Sequence, residues 1–438
     1  MLIYCPAINP RIEYTIDHVF SNNLGLDTSI TSSIDDFKDY KGPKLSYSPE
    51  NPAGNSHWIW SGGLLSDEGV KPIQTGYDDQ ISWDGLPMIF MAPEGGIIPF
   101  DILSAVFYFL SRYEEHLSFD PDTHGRFPSG ASLANQMAVL DKPIVDLWIN
   151  RLGKQLEKIF QNKIKIKDHP FKFDSTIDID NAWAFRHKGF SRTLGAIFRG
   201  GQGMETRNFR YQVLRGKQED PYFQYPKMDM IHDEYGVSPK YFFLVGQYGR
   251  FDRNINPGKK AFRKLIREIA EHNYTGLHPS YGSDSRHMAI RKEKEILEEI
   301  IGKEVDSSRQ HYLRLKFPST YRSLIKAGIK YDFTMGFADN SGFRAGTSRP
   351  FRFFDIEYNK ATGLIVKPFQ VMDTGLRDYE SLSPEKAVQK ISQLIHNTRE
   401  AGGTFRSLWH NESFSDWAGW EGWTNVYLKM LKMAKGEQ

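Results

Sequence analysis

Residues 176–180 read Thr-Ile-Asp-Ile-Asp, and this stretch decides how the second half of the chain is interpreted. It ends an apolar, strand-like run, so Asp178 and Asp180 lie at a predicted strand end. Three more polar motifs follow apolar runs downstream: Gly-Leu-His-Pro-Ser at 276–280, Arg-Gln-His-Tyr-Leu-Arg at 309–314 and Leu-Trp-His at 408–410. Carboxylates, imidazoles and guanidinium groups from successive strand ends are what a barrel hydrolase gathers around one metal ion. We therefore predict that the four motifs form one site.

From residue 171 onward, short apolar runs alternate with amphipathic helical patterns. The predicted strands are 171–177, 240–245, 274–278, 308–313, 329–335, 364–371 and 404–409. Ser383, followed by Pro384, predicts the start of a helix that continues to Gly402. This alternation indicates an α/β fold with a parallel sheet, closed or nearly closed into a barrel.

Residues 1–168 are predicted to form a smaller, separate α/β domain, and residues 169–438 the barrel. The polar stretch 160–170, which holds several lysines and ends at Pro170, is the best candidate for the boundary. Within the first part, residues 101–110 and the segment after Pro143 are predicted helices. No motif in this domain indicates a chemical role.

The composition and charge indicate a folded protein and give no sign of nucleic-acid binding. A chain of 438 residues with 39% hydrophobic content suits a folded protein, and a formal charge of +2 does not indicate nucleic-acid binding. Cys5 is the single cysteine, which excludes a disulfide within the chain and fits a reducing compartment. The first residues resemble no signal peptide, and no apolar run is long enough to cross a bilayer. We therefore expect a cytoplasmic location.

The two aspartates of the first motif are two residues apart, so in an extended chain both side chains point the same way. Carboxylates this close repel each other unless a metal ion takes one, which leaves the other to act as a base. Alternatively, Asp180 caps a helix that begins near Asn181. His278 follows another predicted strand, and it is either a metal ligand or a structural histidine.

The remaining motifs supply a guanidinium group and two imidazoles. Arg309 and His311 would share one side of an extended strand, where Arg309 either holds a carboxylate base ionised or forms a structural ion pair. His410 could protonate a leaving amine, because the pKa of an imidazole is near neutrality. It would need an orienting carboxylate, for which Asp373 and Asp339 are the candidates.

Residues 186–217 are strongly basic, with eight Lys and Arg residues against one acid, Glu205. The segment is either a solvated basic helix or a surface for phosphate groups or an anionic membrane.

The four motifs, in this order, resemble those of the NodB-homology polysaccharide deacetylases of carbohydrate esterase family 4. The resemblance covers about residues 171–415, and residues 309–314, 331–337 and 342–347 resemble a divergent bacterial branch. Members of that branch often carry an uncharacterised N-terminal domain. The resemblance implies an irregular (β/α)7-type barrel. It also implies a metal-dependent hydrolase that removes an N-acetyl group from an amino sugar of a polysaccharide or of its nucleotide- or lipid-linked precursor.

Carried over residue by residue, the resemblance implies Asp178 as general base and His410 as general acid. Arg309 would support the base, and we count Asp373 with the catalytic residues. Asp180 and His278 would bind a divalent metal, usually zinc in this family. Arg314, Arg344 and Trp409 are expected to contact the substrate.

Two positions depart from the family pattern. Gly282 stands where the family has a second histidine, and Ile179 separates two aspartates that are adjacent in the family. His311 or His287 would have to supply the third ligand, and we prefer His311 because it comes from a predicted strand. A non-catalytic carbohydrate-binding or scaffold protein, or another metal hydrolase on a similar barrel, are the alternative interpretations.

Overall fold

The computed structural model describes residues 1–52, 54, 57–161, 163–189 and 204–437. Its N-terminal part contains a four-stranded parallel sheet in the order β2-β1-β3-β4 and a two-stranded antiparallel sheet, β5-β6. These strands are β1 (Leu2–Tyr4), β2 (Ser29–Thr31), β3 (Lys44–Ser48), β4 (Trp58–Trp60), β5 (Ser82–Trp83) and β6 (Leu86–Pro87).

Five helices accompany these strands in the described part of residues 1–168. They are α1 (Pro10–Ile16), α2 (Ile34–Asp39), α3 (Ile102–Leu110), α4 (Leu133–Gln136) and α5 (Ile144–Ile159), and a π-helical segment, Asp17–Asn23, continues α1. The Asp101 side chain caps α3 by accepting from the backbone N–H of Ser104, and every residue of α3 is buried. Both predicted helices of this part are confirmed.

The C-terminal part is built on a nine-stranded sheet in the order β12-β13-β11-β10-β9-β8-β7-β15-β14. The strands are β7 (Lys172–Ile179), β8 (Lys240–Phe243), β9 (Tyr274–Leu277), β10 (Ser307–Ser308), β11 (Tyr331–Asp332), β12 (Phe351–Asp355), β13 (Lys360–Val366), β14 (Val371–Met372) and β15 (Thr404–His410). All neighbours pair in parallel except β12 with β13.

One continuous run of chain closes this sheet into a barrel. Strands β13 and β14 belong to the same run, which pairs with β11 at its start and with β15 at its end. Between them, Phe369 N–H donates to the Met335 carbonyl and Gln370 N–H to the Arg406 carbonyl. The barrel wall is therefore formed by β7, β8, β9, β10, β11, the β13–β14 run and β15, while β12 pairs only with β13. These seven segments confirm the predicted seven-stranded barrel.

Six helices in the described part of the barrel segment lie between its strands, and a seventh follows the last strand. They are α6 (Met204–Leu214), α7 (Tyr225–Tyr235), α8 (Lys260–His272), α9 (His287–Ile301), α10 (Ser319–Lys326), α11 (Pro384–Ala401) and α12 (Trp423–Lys435). The Ser383 hydroxyl caps α11, and the helix ends before Gly402 at φ 67°, as predicted. Among the described residues, no helix has the length and apolar character needed to span a membrane.

The predicted strand 308–313 is wrong for most of its length. Strand β10 covers only Ser307–Ser308, and a 3-10 turn follows at His311–Leu313. Tyr312 and Leu313 have φ values of +59° and +54°, which a pleated strand cannot contain. Alternation of side chains therefore does not apply beyond β10.

One apolar core runs through both parts of the chain. Phe107 of α3 packs edge-on against Phe354 of β12 at a centroid distance of 5.1 Å, and both belong to the same buried cluster. Backbone hydrogen bonds also cross, from Val145 N–H to the Gly346 carbonyl at 2.8 Å. The division at residue 168 stays a prediction, although the two segments it separates share their interior.

The predicted basic surface at 186–217 lies partly outside the described residues, because residues 190–203, with Arg192 and Arg199, are not among them. Helix α6 forms much of the remainder. A role for this segment in binding phosphate groups or a membrane stays a prediction.

Candidate active site

The polar motifs meet at one rim of the barrel because parallel strands present their carboxyl ends on the same side. Asp178 lies in β7 and Asp180 just beyond it, His278 follows β9, and His410 ends β15. His410 and Asp178 are register partners on neighbouring strands. The structure therefore brings together the groups that the sequence places in separate motifs.

Three of these residues form a group that can hold a metal ion. One ligand atom from each of Asp180, His278 and His311 lies within 4.8 Å of the others. His278 Nε2 is 3.0 Å from Asp180 Oδ1, and His311 Nε2 is 3.4 Å from Asp180 Oδ2. Asp180 does not cap a helix, because residues 181–189 contain none.

The hydrogen bonds on the far side of each imidazole decide which nitrogen carries the proton. His278 Nδ1 lies 2.6 Å from the Arg309 carbonyl, and His311 Nδ1 lies 2.8 Å from Asp252 Oδ1. Both acceptors lack a proton, so Nδ1 donates in each ring. In the neutral imidazoles, each Nε2 then directs a lone pair toward the carboxylate of Asp180.

Lone pairs that converge in this way repel one another unless a cation lies among them. Asp180 Oδ1 is buried and accepts no hydrogen bond of good geometry, although His278 Nε2 is close. An N,N,O ligand set whose histidines donate from Nδ1 to a carbonyl or carboxylate is the arrangement that divalent metals such as zinc prefer. The donor set fits a metal ion.

The pKa values of His311 and Asp180 also indicate that positive charge is favoured at this group. Burial alone would lower the pKa of His311, but Asp180 and Asp252 outweigh it and raise that pKa to about 9. Burial would raise the pKa of Asp180, yet His311 and His278 hold it well below its usual value. Without a metal, a proton on His311 supplies the charge that Asp180 requires.

Asp178 lies beside this group and is paired with an arginine. Arg309 Nη1 donates to Asp178 Oδ1 at 2.9 Å, and its Nε donates to the Phe333 carbonyl at 3.1 Å. Both side chains are buried, and His278 Nε2 is 3.8 Å from Asp178 Oδ2. The buried guanidinium therefore fixes the orientation of the Asp178 carboxylate beside the Asp180 group.

His410 has its own carboxylate partner. His410 Nδ1 donates to Asp373 Oδ1 at 2.7 Å, and Nε2 is 3.9 Å from Asp180 Oδ2. Burial alone would lower the pKa of His410, but Asp373 raises it well above the usual value. The alternative partner, Asp339, instead accepts hydrogen bonds from the backbone and hydroxyl of Ser129. Of the two candidates, only Asp373 contacts His410.

A pocket of about 350 Å³ opens onto these groups. Its lining comprises Arg126, Asp178, Asp180, His278, Gln310, His311, Tyr312, Leu313, Met372, Thr374, Asp378, Tyr379, Leu408, His410 and Glu412. Burial raises the pKa of Glu412 to about 7, although the charge of His410 opposes the rise.

Three residues at the site were not predicted: Glu412, Asp252 and Arg126. The position of Glu412, two residues after His410, is the one sequence signal that could have indicated it. Asp252 and Arg126 lie in loops far from the four motifs, and no sequence signal marks them.

The residues predicted to contact substrate need correction. Trp409 is fully buried and packs on Tyr427 at 5.5 Å, because neighbouring strand residues point to opposite faces. Arg344 is buried in an ion pair with Glu115 and also donates to the Gly336 carbonyl. Neither side chain lines the pocket.

Arg314 also lies outside the pocket lining. It donates to the carbonyls of His124 and Tyr281 and pairs with Asp284 at 3.2 Å. Its contact with a substrate stays a prediction. His287 begins α9 and is not part of the Asp180 group, so His311 is the third candidate ligand.

The N-terminal and C-terminal parts of the chain match different known proteins. Residues 1–161 match a family model described as a family of unknown function, DUF7033. The C-terminal part is structurally similar to polysaccharide deacetylases of carbohydrate esterase family 4. No curated protein matches the chain.

Three solved structures illustrate the similarity. A candidate polysaccharide deacetylase from Mycobacterium smegmatis is 17% identical, with a TM-score of 0.40, over 61% of this chain and 84% of that one. A family 4 carbohydrate esterase from Streptomyces lividans, solved with acetate, is 11% identical, with a TM-score of 0.30, over 62% and 92%. A polysaccharide deacetylase from Bacillus cereus is 12% identical, with a TM-score of 0.27, over 62% and 90%.

Proposed function

We propose that this protein is a metal-dependent hydrolase that removes the N-acetyl group from an amino sugar. The substrate would belong to a polysaccharide or to its nucleotide- or lipid-linked precursor. One observation carries the proposal: the Nε2 atoms of His278 and His311 converge on Asp180, between the Asp178–Arg309 pair and the His410–Asp373 pair. A ligand group flanked by one candidate base and one candidate acid is the minimum that amide hydrolysis needs.

Asp180, His278 and His311 would hold the metal ion, for which we propose zinc. When bound, such an ion polarises an amide carbonyl and lowers the pKa of water. Asp178 takes a proton from the attacking water, and Arg309 holds this carboxylate in position through its hydrogen bond. The water oxygen then forms a bond to the carbonyl carbon as the carbon–oxygen π bond breaks and its electron pair moves to the carbonyl oxygen.

His410 acts at the second stage of the reaction. The carbon–oxygen π bond re-forms as the carbon–nitrogen bond breaks, the amine nitrogen takes the proton from His410, and acetate and a free amino sugar leave. Asp373 holds the His410 ring with Nδ1 protonated and stabilises its cationic form. His410 and Asp178 are register partners, so the acid and the base lie on neighbouring strands at the same rim of the barrel.

Release of acetate from defined sugars tests this proposal. Protein loaded with Zn²⁺ is incubated with N-acetylglucosamine, its oligomers and a nucleotide-linked form, and acetate and phosphate are both measured. We expect acetate from at least one substrate, with loss of about 100-fold or more in kcat for Asp178→Asn and His410→Ala. Phosphate in place of acetate would indicate a different hydrolase. Sugar binding without hydrolysis, unchanged by both substitutions, would indicate a carbohydrate-binding protein.

A cytoplasmic location also stays a prediction.

A further inference from the structure

A loop of the N-terminal part enters the pocket. Arg126 lines the pocket, and its side chain is only 6% exposed. Its Nε donates to Asp122 Oδ2 at 2.7 Å, its Nη1 to the Tyr312 carbonyl at 3.0 Å, and its Nη2 to the Tyr379 hydroxyl at 3.0 Å. The guanidinium therefore joins two pocket residues that come from different strand ends.

Asp122 holds the backbone and the guanidinium of Arg126 in place. Its Oδ1 accepts from the backbone N–H groups of His124 and Arg126, at 2.8 and 2.9 Å, and its own N–H donates to the Arg126 carbonyl. Burial would raise the pKa of Asp122, but the hydrogen bonds from Arg126 lower it, so the carboxylate stays ionised. The loop is therefore held by contacts within itself in addition to those that Arg126 makes with the barrel.

On one side, Arg126 holds a turn that is unfavourable in isolation. Tyr312 follows His311 directly, and it and Leu313 both adopt positive φ, which residues with a Cβ rarely do. The Tyr312 carbonyl accepts from Arg126, and the Tyr312 ring packs on His124 at 4.7 Å. The N-terminal loop thus supports the turn that carries a candidate metal ligand.

On the other side, Arg126 contacts the segment Gly375–Tyr379, which follows β14. In the barrel, β11 lies between β10 and the β13–β14 run. The loop after β11 is also covered, because Ser129 donates to Asp339 from both its backbone and its hydroxyl. The N-terminal loop therefore closes the side of the pocket mouth above β11.

We propose that the N-terminal part completes the active site, with Arg126 as a positioning residue that fixes Tyr312 and Tyr379 as one wall of the pocket. The wall restricts the substrate to a terminal N-acetylated sugar, either a chain end or a single glycosyl unit. An interior unit of a polymer needs a free path on both sides of the pocket, and the Tyr312–Arg126–Tyr379 bridge blocks one. This inference rests on the proposed deacetylase function.

Product analysis with the full chain tests the restriction. N-acetylglucosamine oligomers of one to six units are the probes, and mass spectrometry counts and locates the acetyl groups removed. We expect the natural protein to remove one terminal acetyl group per chain. Arg126→Ala opens the wall, and Tyr379→Phe cuts one hydrogen bond while keeping the ring. Both should raise the ratio of interior to terminal deacetylation, by about tenfold for Arg126→Ala.

The matched control is Arg349→Lys. Arg349 is also a buried arginine between the two parts of the chain, bonded to Asn23 and Asn150, but it does not line the pocket. This variant should keep the natural product pattern. Interior deacetylation by the natural protein, or an unchanged pattern in both wall variants, would overturn the inference.

Amide hydrogen exchange separates failure of this inference from failure of the proposed function. If the natural protein releases no acetate from these probes, the deacetylase proposal fails for them, and exchange still reports on the wall. The amide of Leu313 is bonded to the Gln310 carbonyl within the turn. Its exchange should accelerate about tenfold in Arg126→Ala and stay unchanged in Arg349→Lys. Equal exchange in all three proteins would refute the positioning role.

Discussion

His410 donates twice to the carboxylate of Asp373: Nδ1 to Oδ1 and the backbone N–H to Oδ2, each at 2.7 Å. Ser413 Oγ and Thr374 N–H donate to the same carboxylate. Four donors therefore hold Asp373 in one orientation, and the ring of His410 follows it. The remaining nitrogen, Nε2, faces Asp180 and the pocket, which is the position that a proton donor needs.

Replacing Asp373 tests whether His410 acts as the general acid. Asp373→Asn keeps the shape but removes the charge, and its amide can donate to Nδ1 and so reverse the protonation of the ring. We expect kcat for acetate release to fall by about 100-fold to 10,000-fold, with metal content unchanged. Asp339→Asn is the control, because Asp339 contacts Ser129 and not His410. Equal activity of Asp373→Asn and the natural protein would remove Asp373 from the mechanism.

The carboxylate behind His311 should affect metal affinity. Asp252 accepts from His311 Nδ1 and from the Tyr281 N–H, so Asp252→Asn keeps an acceptor oxygen and loses the charge that strengthens the ligand. We expect the affinity for Zn²⁺, measured by calorimetric titration of metal-free protein, to fall about 10-fold to 100-fold. Asp284→Asn, which alters a carboxylate paired with Arg314, should bind as the natural protein does. The same loss in both variants would show a general charge effect.

Asp332 should make the protein less stable as the pH rises. Burial raises its pKa from 3.8 to about 6 in the folded protein, although Thr334 and Tyr321 donate hydrogen bonds to it. Below pH 3.8 the carboxyl is protonated in both states. Between pH 3.8 and 6 the unfolded chain ionises first, so folding becomes less favourable by up to about 3 kcal/mol, and this difference persists above pH 6.

Asp332→Asn removes that titration. Urea unfolding at pH 4.5 and 7.5 should show that the natural protein loses stability relative to the variant at the higher pH. A constant difference between the two proteins across this range would mean that Asp332 does not titrate as described.

The shared core predicts that both parts of the chain unfold together. Asp146 of α5 is buried and accepts from Thr347 Oγ1 at 2.5 Å and from Ser348 N–H and Oγ, each at 2.8 Å. Asp146→Ala leaves both Ser348 donors without a partner and the Thr347 hydroxyl with only the Arg349 carbonyl at 3.5 Å, so we expect a loss of about 2–4 kcal/mol in unfolding free energy and one transition. The exposed Asp233→Ala should change it by less than about 0.5 kcal/mol. Two separate transitions would show that the N-terminal part folds on its own.

The alternation of strands and helices in the C-terminal part was predicted from the sequence alone, because hydrophobic periodicity and capping residues act locally. The strands of the N-terminal part and the antiparallel strand β12 were not predicted. The same local signals marked the strand ends that carry Asp178, His278 and His410. They failed at residues 309–313, where the left-handed turn at Tyr312 depends on contacts with a distant loop. Backbone strain of this kind leaves no periodic pattern in the sequence.

The composition of the site was decided by the tertiary structure. From the sequence, either His311 or His287 could be the third ligand, and either Asp373 or Asp339 could be the partner of His410. The folded barrel brings His311 to Asp180 and His278, and it brings Asp373 to His410. The sequence assigned Arg344 and Trp409 to the substrate, whereas packing buries both. Asp252 and Arg126 acquire their roles through hydrogen bonds across 59 and 186 residues of chain, a separation at which sequence spacing carries no information about distance.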